Sequence, residues 1–150
     1  MKRIIAFVLA VCFTAGISFA AGERGNLKEA QAMVKKAVAY YKEVGREKAI
    51  AEFGNPHGKF IVKDLYISVY DMNGNVVSHP YNKGLIGKNL INIQDPDGKM
   101  FIKEFVDKAA KSPSGYVDYK YTHPQTKKVE PKTAYFERVG NLIIQVGAYK

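Results

Sequence analysis

Near residue 60 the hydrophobic period of the chain changes. Ahead of it, Leu27, Ala30, Val34, Val38, Tyr41 and Val44 recur at spacings of three and four, which lines one face of a helix. Beyond it, Leu65, Ile67 and Val69 alternate with Tyr66, Ser68 and Tyr70, the two-residue repeat of a strand whose side chains point to opposite faces. A helix followed by strands is the pattern of an α+β domain, in which helix and sheet bury their apolar faces against each other.

Turn and cap residues divide this pattern into elements. Asn26, followed three residues later by Glu29, resembles a capping box and opens a helix that runs to Phe53. Gly45 interrupts it, leaving a shorter piece from Arg46 to Phe53 that stops at Gly54-Asn55-Pro56. A strand is expected from Phe60 to Asp71, a hairpin turn at Asn73-Gly74 and a return strand from Asn75 to His79, closed by Pro80. Tyr81 to Pro96 reads as irregular, and a second helix is expected from Asp97 to Lys111 with Phe101, Phe105, Val106 and Ala109 as its stripe. Three strands follow, Tyr116 to Thr122, Lys132 to Val139 and Leu142 to Tyr149, separated by turns at His123–Lys128 and Gly140-Asn141. The expected sheet has five antiparallel strands, with the first and last paired at its centre.

The first twenty residues read as a leader. Lys2 and Arg3 precede an uncharged, mostly apolar run from Ile4 to Phe19, and Ser18-Phe19-Ala20 ends it with small residues where a signal peptidase reads. Cleavage near Ala20 is expected, leaving residues 21–150 as one periplasmic or secreted domain. An uncleaved anchor fits less well, because the run is shorter than the ~20 residues of a membrane span. Cys12 is preceded by Val11 rather than the small residue of a lipoprotein site. Cys12 is also the one cysteine, so the mature domain would have no disulfide, thiol nucleophile or cysteine metal site. A chain of 150 residues leaves no room for a second substantial domain. Its net charge of +9 is dispersed rather than clustered, which fits a solvated surface weakly attracted to an anionic envelope, and not nucleic-acid binding.

An ordered series of short motifs runs through the domain. It begins with Asp64-Leu65-Tyr66-Ile67-Ser68-Val69-Tyr70-Asp71, Asn73-Gly74, Ser78-His79-Pro80, Gly87-Lys88-Asn89-Leu90 and Asp95-Pro96-Asp97-Gly98-Lys99. It continues with Gly115-Tyr116-Val117-Asp118-Tyr119, His123-Pro124, Pro131-Lys132-Thr133-Ala134-Tyr135 and Val146-Gly147-Ala148-Tyr149. Together these resemble the single Cache domain, an extracellular sensor module of bacterial chemoreceptors and histidine kinases. The resemblance implies a PAS-like fold, with the long N-terminal helix packed on the sheet and a loop and short helix covering a small-molecule pocket. It also implies short carboxylates such as acetate, propionate, lactate or pyruvate as ligands. The sequence stops at Lys150, shortly after the last strand, so a free periplasmic binding protein that reports occupancy to a membrane receptor or kinase is expected.

Within that frame the candidate ligand-binding residues are Tyr66, Tyr70, His79, Tyr119, Tyr121, Lys132 and Tyr135. A buried anion needs a compensating cation, and Lys132 lies in one of the shared motifs; Arg138 and Lys88 are the cations next in line. Tyrosine hydroxyls and a His79 imidazole supply directional donors, and Val117 an apolar wall. The bland readings are core tyrosines, a histidine capping a loop carbonyl and a surface lysine. Strict alternation places Lys132 and Tyr135 on opposite faces, which a bulge near Pro131 would reconcile.

Catalytic, metal and cofactor readings have less support. His57, His79 and His123 lack ligand spacing. Asp95, Asp97, Gly98 and Glu104 imitate part of a calcium loop, but Ile93 occupies the position of its first acid. No nucleophile elbow, phosphate loop or haem attachment motif occurs. The expected function is non-enzymatic capture of a small organic acid without a cofactor. The alternatives are a Cache fold that has lost its ligand and docks a protein partner, and a non-covalent haem sensor.

Overall fold

A computed structural model describes residues 22–150. The expected leader and its cleavage near Ala20 lie outside the described residues. The first helix, α1 (Leu27–Val44), opens with the expected capping box: Glu29 N–H donates to Asn26 Oδ1 and Asn26 N–H to Glu29 Oε2, each at 2.9 Å. Gly45, at φ 84°, makes the break before α2 (Arg46–Phe53), a backbone region that favours a residue without Cβ.

The strands are β1 (Ile67–Asp71), β2 (Val76–Ser78), β3 (Ser114–Thr122), β4 (Val129–Val139) and β5 (Leu142–Tyr149), with a 3-10 turn at Lys83–Leu85 and α3 (Phe101–Lys111) between β2 and β3. They form one five-stranded sheet in the order β2-β1-β5-β4-β3, and every neighbouring pair is antiparallel. The first and last strands pair inside the sheet, as the sequence predicts.

The first strand and the second expected helix are shorter than expected, each because a turn takes over their first residues. Residues 60–66 do not extend β1: Val62 and Leu65 bond each other across a tight loop, with Leu65 N–H reaching Val62 O at 2.9 Å and Lys63 at φ 58°. This loop turns Asp64 inward. The second helix begins at Phe101 rather than Asp97, because Asp95 accepts the N–H groups of Asp97 and Lys99 within its own turn and of Lys120 from β3, all at 3.0 Å.

Strand β5 is buried along its whole length, so both sheet faces are covered. Leu142, Ile144, Val146 and Ala148 pack with Ala30, Val34 and Ala37 of α1. On the opposite face, Ile143 joins Tyr70, Phe105, Val117, Ala134 and Phe136 beneath α3. The remainder of that second face is polar and buried. No helix among the described residues is long and apolar enough to cross a membrane.

Candidate ligand-binding site

Lys132 occupies the buried polar end of the second face. Its side chain is 1% exposed and its Nζ donates to Tyr66 Oη at 3.0 Å. The ammonium also lies 4.2 Å from the Tyr66 ring centre, 4.6 Å from that of Tyr149, 5.6 Å from that of Tyr121 and 5.9 Å from that of Tyr119. Among the described residues no carboxylate pairs with it within salt-bridge distance. Burial pushes its pKa down from 10.5 to about 7, opposed in part by Asp64. Gly147 allows this placement: a Cβ there would collide with Cε of Lys132, so the lysine stem lies flat on bare backbone.

Tyrosine hydroxyls surround the cation. Tyr66 Oη and Tyr149 Oη are 3.5 Å apart, and Tyr149 donates to Thr122 O at 2.9 Å. Deeper along the same face, Gln145 Nε2 donates to Tyr70 Oη at 3.5 Å. Desolvation raises the pKa of Tyr66, Tyr70, Tyr119, Tyr121 and Tyr149. They therefore stay neutral at physiological pH, as hydrogen-bond donors rather than phenolates.

Two His-Pro steps shape the mouth of the site. His79 Nδ1 accepts the N–H groups of Tyr81 at 3.2 Å and Asn82 at 3.1 Å. This leaves the proton of the neutral ring on Nε2, and the ring stays neutral because burial, reinforced by Lys132, lowers its pKa to about 4. His123 repeats the cap on Gln125 and Thr126, and its Nε2 faces Asp64 Oδ2 at 3.0 Å. Asp64 in turn accepts Gly25 N–H. The Nε2 of His79 has no equivalent carboxylate among the described residues. A cavity of about 280 Å³ opens beside it, lined by Tyr66, His79, Tyr81, Tyr121 and His123 among others.

The structure brings six of the seven predicted residues to one face: Tyr66, Tyr70, His79, Tyr119, Tyr121 and Lys132. Tyr135 is a correction. It packs in the α1 core, and its hydroxyl donates to Glu137 at 2.8 Å. The β3–β4 register runs unbroken from Ser114 opposite Glu137 to Thr122 opposite Val129, so no bulge near Pro131 brings Tyr135 round to Lys132. His79 caps two loop N–H groups rather than the carbonyl of its bland reading. Tyr149, Gln145 and Gly147, outside the expected set, lie on the same face beside Tyr66, Tyr70 and Lys132 respectively. Gln145 had a signal, as the one polar side chain before the terminal tyrosine in Leu142-Ile143-Ile144-Gln145-Val146-Gly147-Ala148-Tyr149. A larger groove of about 520 Å³ runs along α1 past Met33, Tyr40, Phe60 and Leu65. It offers no buried charge, whereas the smaller cavity at His79 is walled by Tyr66 and Tyr121, whose rings lie against the buried Lys132 ammonium, and is the better candidate for an anion.

The single Cache domain 2 family model matches residues 21–150. The chain is 36% identical over 73 residues to sensor histidine kinase MctS of Rhizobium johnstonii, covering 49% of this chain and 16% of that protein. It is 31% identical over 74 residues to methyl-accepting chemotaxis protein McpP of Pseudomonas putida, covering 49% of this chain and 14% of that one. The matched stretch thus takes up less than a fifth of either relative. A Cache chemosensory domain solved to explain carboxylic acid recognition superposes with a TM-score of 0.72 at 23% identity, over 81% of this chain and 91% of that one; at that identity the likeness speaks for the fold.

Proposed function

This chain belongs to the single Cache domain 2 family, and from that premise we propose that it is a non-enzymatic sensor module that holds a short organic carboxylate against Lys132. Cache domains are extracellular or periplasmic sensor modules, and this one is homologous to the ligand-binding domains of chemoreceptors.

The observation that carries the reading is a fully buried lysine amine with no carboxylate within salt-bridge distance among the described residues. Burying a lone charge is costly, whereas an incoming carboxylate would supply the missing negative charge. Charge-assisted hydrogen bonds from Lys132, from the surrounding tyrosines and from His79 Nε2–H would replace the water that the acid loses. The contrast between the two histidines supports the same chemistry: His123 meets the carboxylate of Asp64, and His79 leaves its matching edge for one that arrives. In the cell the occupied module would report to a membrane receptor or kinase after export.

Thermal melting of the protein with acetate, propionate, lactate or pyruvate tests the proposal. A ligand that binds only the folded state raises its apparent stability, so at least one acid is expected to raise the melting temperature in a saturable way, and Lys132→Met to abolish the rise. A flat response to all four would reject carboxylate capture and favour the ligand-free docking module.

A further inference from the structure

Away from Lys132, a buried carboxylate joins distant parts of the chain. Asp64 is 2% exposed. Its Oδ1 accepts the N–H of Gly25 at 2.6 Å, and its Oδ2 faces His123 Nε2 at 3.0 Å. His123 is buried as well, and its Nδ1 accepts the N–H groups of Gln125 and Thr126. With Nδ1 engaged as an acceptor, the proton of the neutral ring sits on Nε2 and is donated to Asp64. A carboxylate withdrawn from water is costly unless donors meet it, and here Gly25 and His123 each supply one oxygen with its donor.

His123 reaches the strap of residues 22–26 ahead of α1 by two routes. One is through Asp64 to Gly25 N–H. The other runs through the turn between β3 and β4. Thr126, whose N–H His123 holds, donates its hydroxyl to Glu130 Oε2 at 3.0 Å, and Glu130 Oε1 pairs with Arg24 Nη2 at 2.6 Å. The two routes end on adjacent residues. Arg24 also donates to Lys150 O at 3.4 Å, and Gly25 is seated against Leu65, where a Cβ would lie 2.3 Å from Cγ. At its other edge His123 walls the cavity with Tyr66, His79 and Tyr121, and its ring centre lies 4.5 Å from that of Tyr149. One side chain thus borders the cavity and anchors both ties that seat the strap.

We infer that His123 and Asp64 form a latch through which filling of the cavity is passed to residues 22–26 at the start of α1. This rests on the carboxylate reading and supplies the route by which occupancy leaves the site. A ligand shifts an equilibrium only as far as it prefers one state over the other. Here the preference has a source: Asp64 and the turn fix the position in which His123 walls the cavity, so an acid lying against that wall favours the seated strap over a released one. The coupling is reciprocal. Release of the strap weakens binding of the acid by the same factor by which the acid disfavours release.

Amide hydrogen exchange tests the latch, on the protein alone and with whichever of acetate, propionate, lactate and pyruvate raises its melting temperature most. The Gly25 amide is expected to exchange threefold or more slowly with the acid bound. The Gly74 amide, which donates to Asp71 O within the Asn73-Gly74 turn, is the uncoupled reference. Equal slowing of both amides would show general stabilisation alone and overturn the inference, as would no slowing at Gly25; carboxylate capture would stand in either case. Asp64→Asn offers one acceptor to two donors and is expected to abolish the slowing at Gly25. Gly25→Ala, which unseats the strap from Leu65, is expected to weaken the acid by a comparable threefold or more in calorimetry, and unchanged affinity would overturn the latch. Should either variant not fold, Arg24→Gln, at an exposed side chain, carries the same affinity test. Binding of none of the four acids would overturn both the latch and carboxylate capture.

Discussion

At Lys132 an amine is kept from water and, among the described residues, from any carboxylate within salt-bridge distance, and this has a consequence for stability. The folded-state pKa of about 7 lies below the ordinary 10.5, so above pH 7 the unfolded chain holds a proton that the ligand-free fold has released. Stability contributed by this residue therefore rises as pH climbs from 7 toward 10 and is absent below 7, where both states bind the proton. His79 acts in a lower window: its folded pKa of about 4 lies below 6.5, so stability is lost as pH falls from 6.5 toward 4. Lys132→Met is expected to raise ligand-free stability at pH 7 and to flatten the rise between pH 7 and 10, as read from urea unfolding across that range. An unchanged pH profile would mean that the ammonium reaches water. Tyr135 teaches a different lesson at this scale. A shared motif places it three residues from Lys132, but three is an odd number in a strand, and the pleat sends the two side chains to opposite faces.

Among the elements, β3 is an edge strand of nine residues, and open edges invite pairing with other chains. Here the polar stripe of α3 and the turn before it close that edge. Lys108 Nζ donates to Tyr116 O at 2.6 Å, Lys99 Nζ donates to Asp118 O, and Asp95 takes Lys120 N–H. Glu104 bridges both lysines, at 2.9 Å and 2.8 Å, and so holds the two caps in line. Replacing both lysines in Lys99→Met/Lys108→Met is expected to leave the far-ultraviolet circular dichroism unchanged and to increase concentration-dependent association in light scattering. Strictly monomeric behaviour of that variant at high concentration would show that the caps do not protect the edge. The lysines themselves were not distinguishable in the sequence from ordinary solvated charges, because their partners are backbone carbonyls that only the packed helix brings near.

For the whole molecule, the sheet separates two tasks. The α1 face is a dry core that sets stability; the opposite face combines an apolar patch under α3 with the buried polar site. Neighbouring residues of β5 serve different sides, Ile144 toward α1 and Gln145 toward the site. Ile144→Val is expected to cost about 0.5–1.5 kcal/mol without changing the stabilisation gained from a bound acid, since that gain depends only on affinity and concentration. Paired melting curves with and without ligand check this. A reduced gain would show that packing on the α1 face reaches the site through the central strand.

The change of hydrophobic period, the capping box at Asn26 and the turns at Asn73-Gly74 and Gly140-Asn141 are local signals, and they were enough to determine the element order and the antiparallel plan. Local alternation also sorted residues into two faces. It could not say where strand-like composition would yield to a turn, as it does at residues 60–66, where the inward Asp64 meets Gly25 and His123 from distant parts of the chain. Nor could composition show that Lys132 would be the lysine withdrawn from water. Those facts depend on what crosses each position from other strands. The bare backbone of Gly147 lies under the lysine, and the hydroxyl of Tyr66 meets its ammonium from 66 residues away. Burial and pairing are properties of such convergence, and so tertiary structure alone decided them.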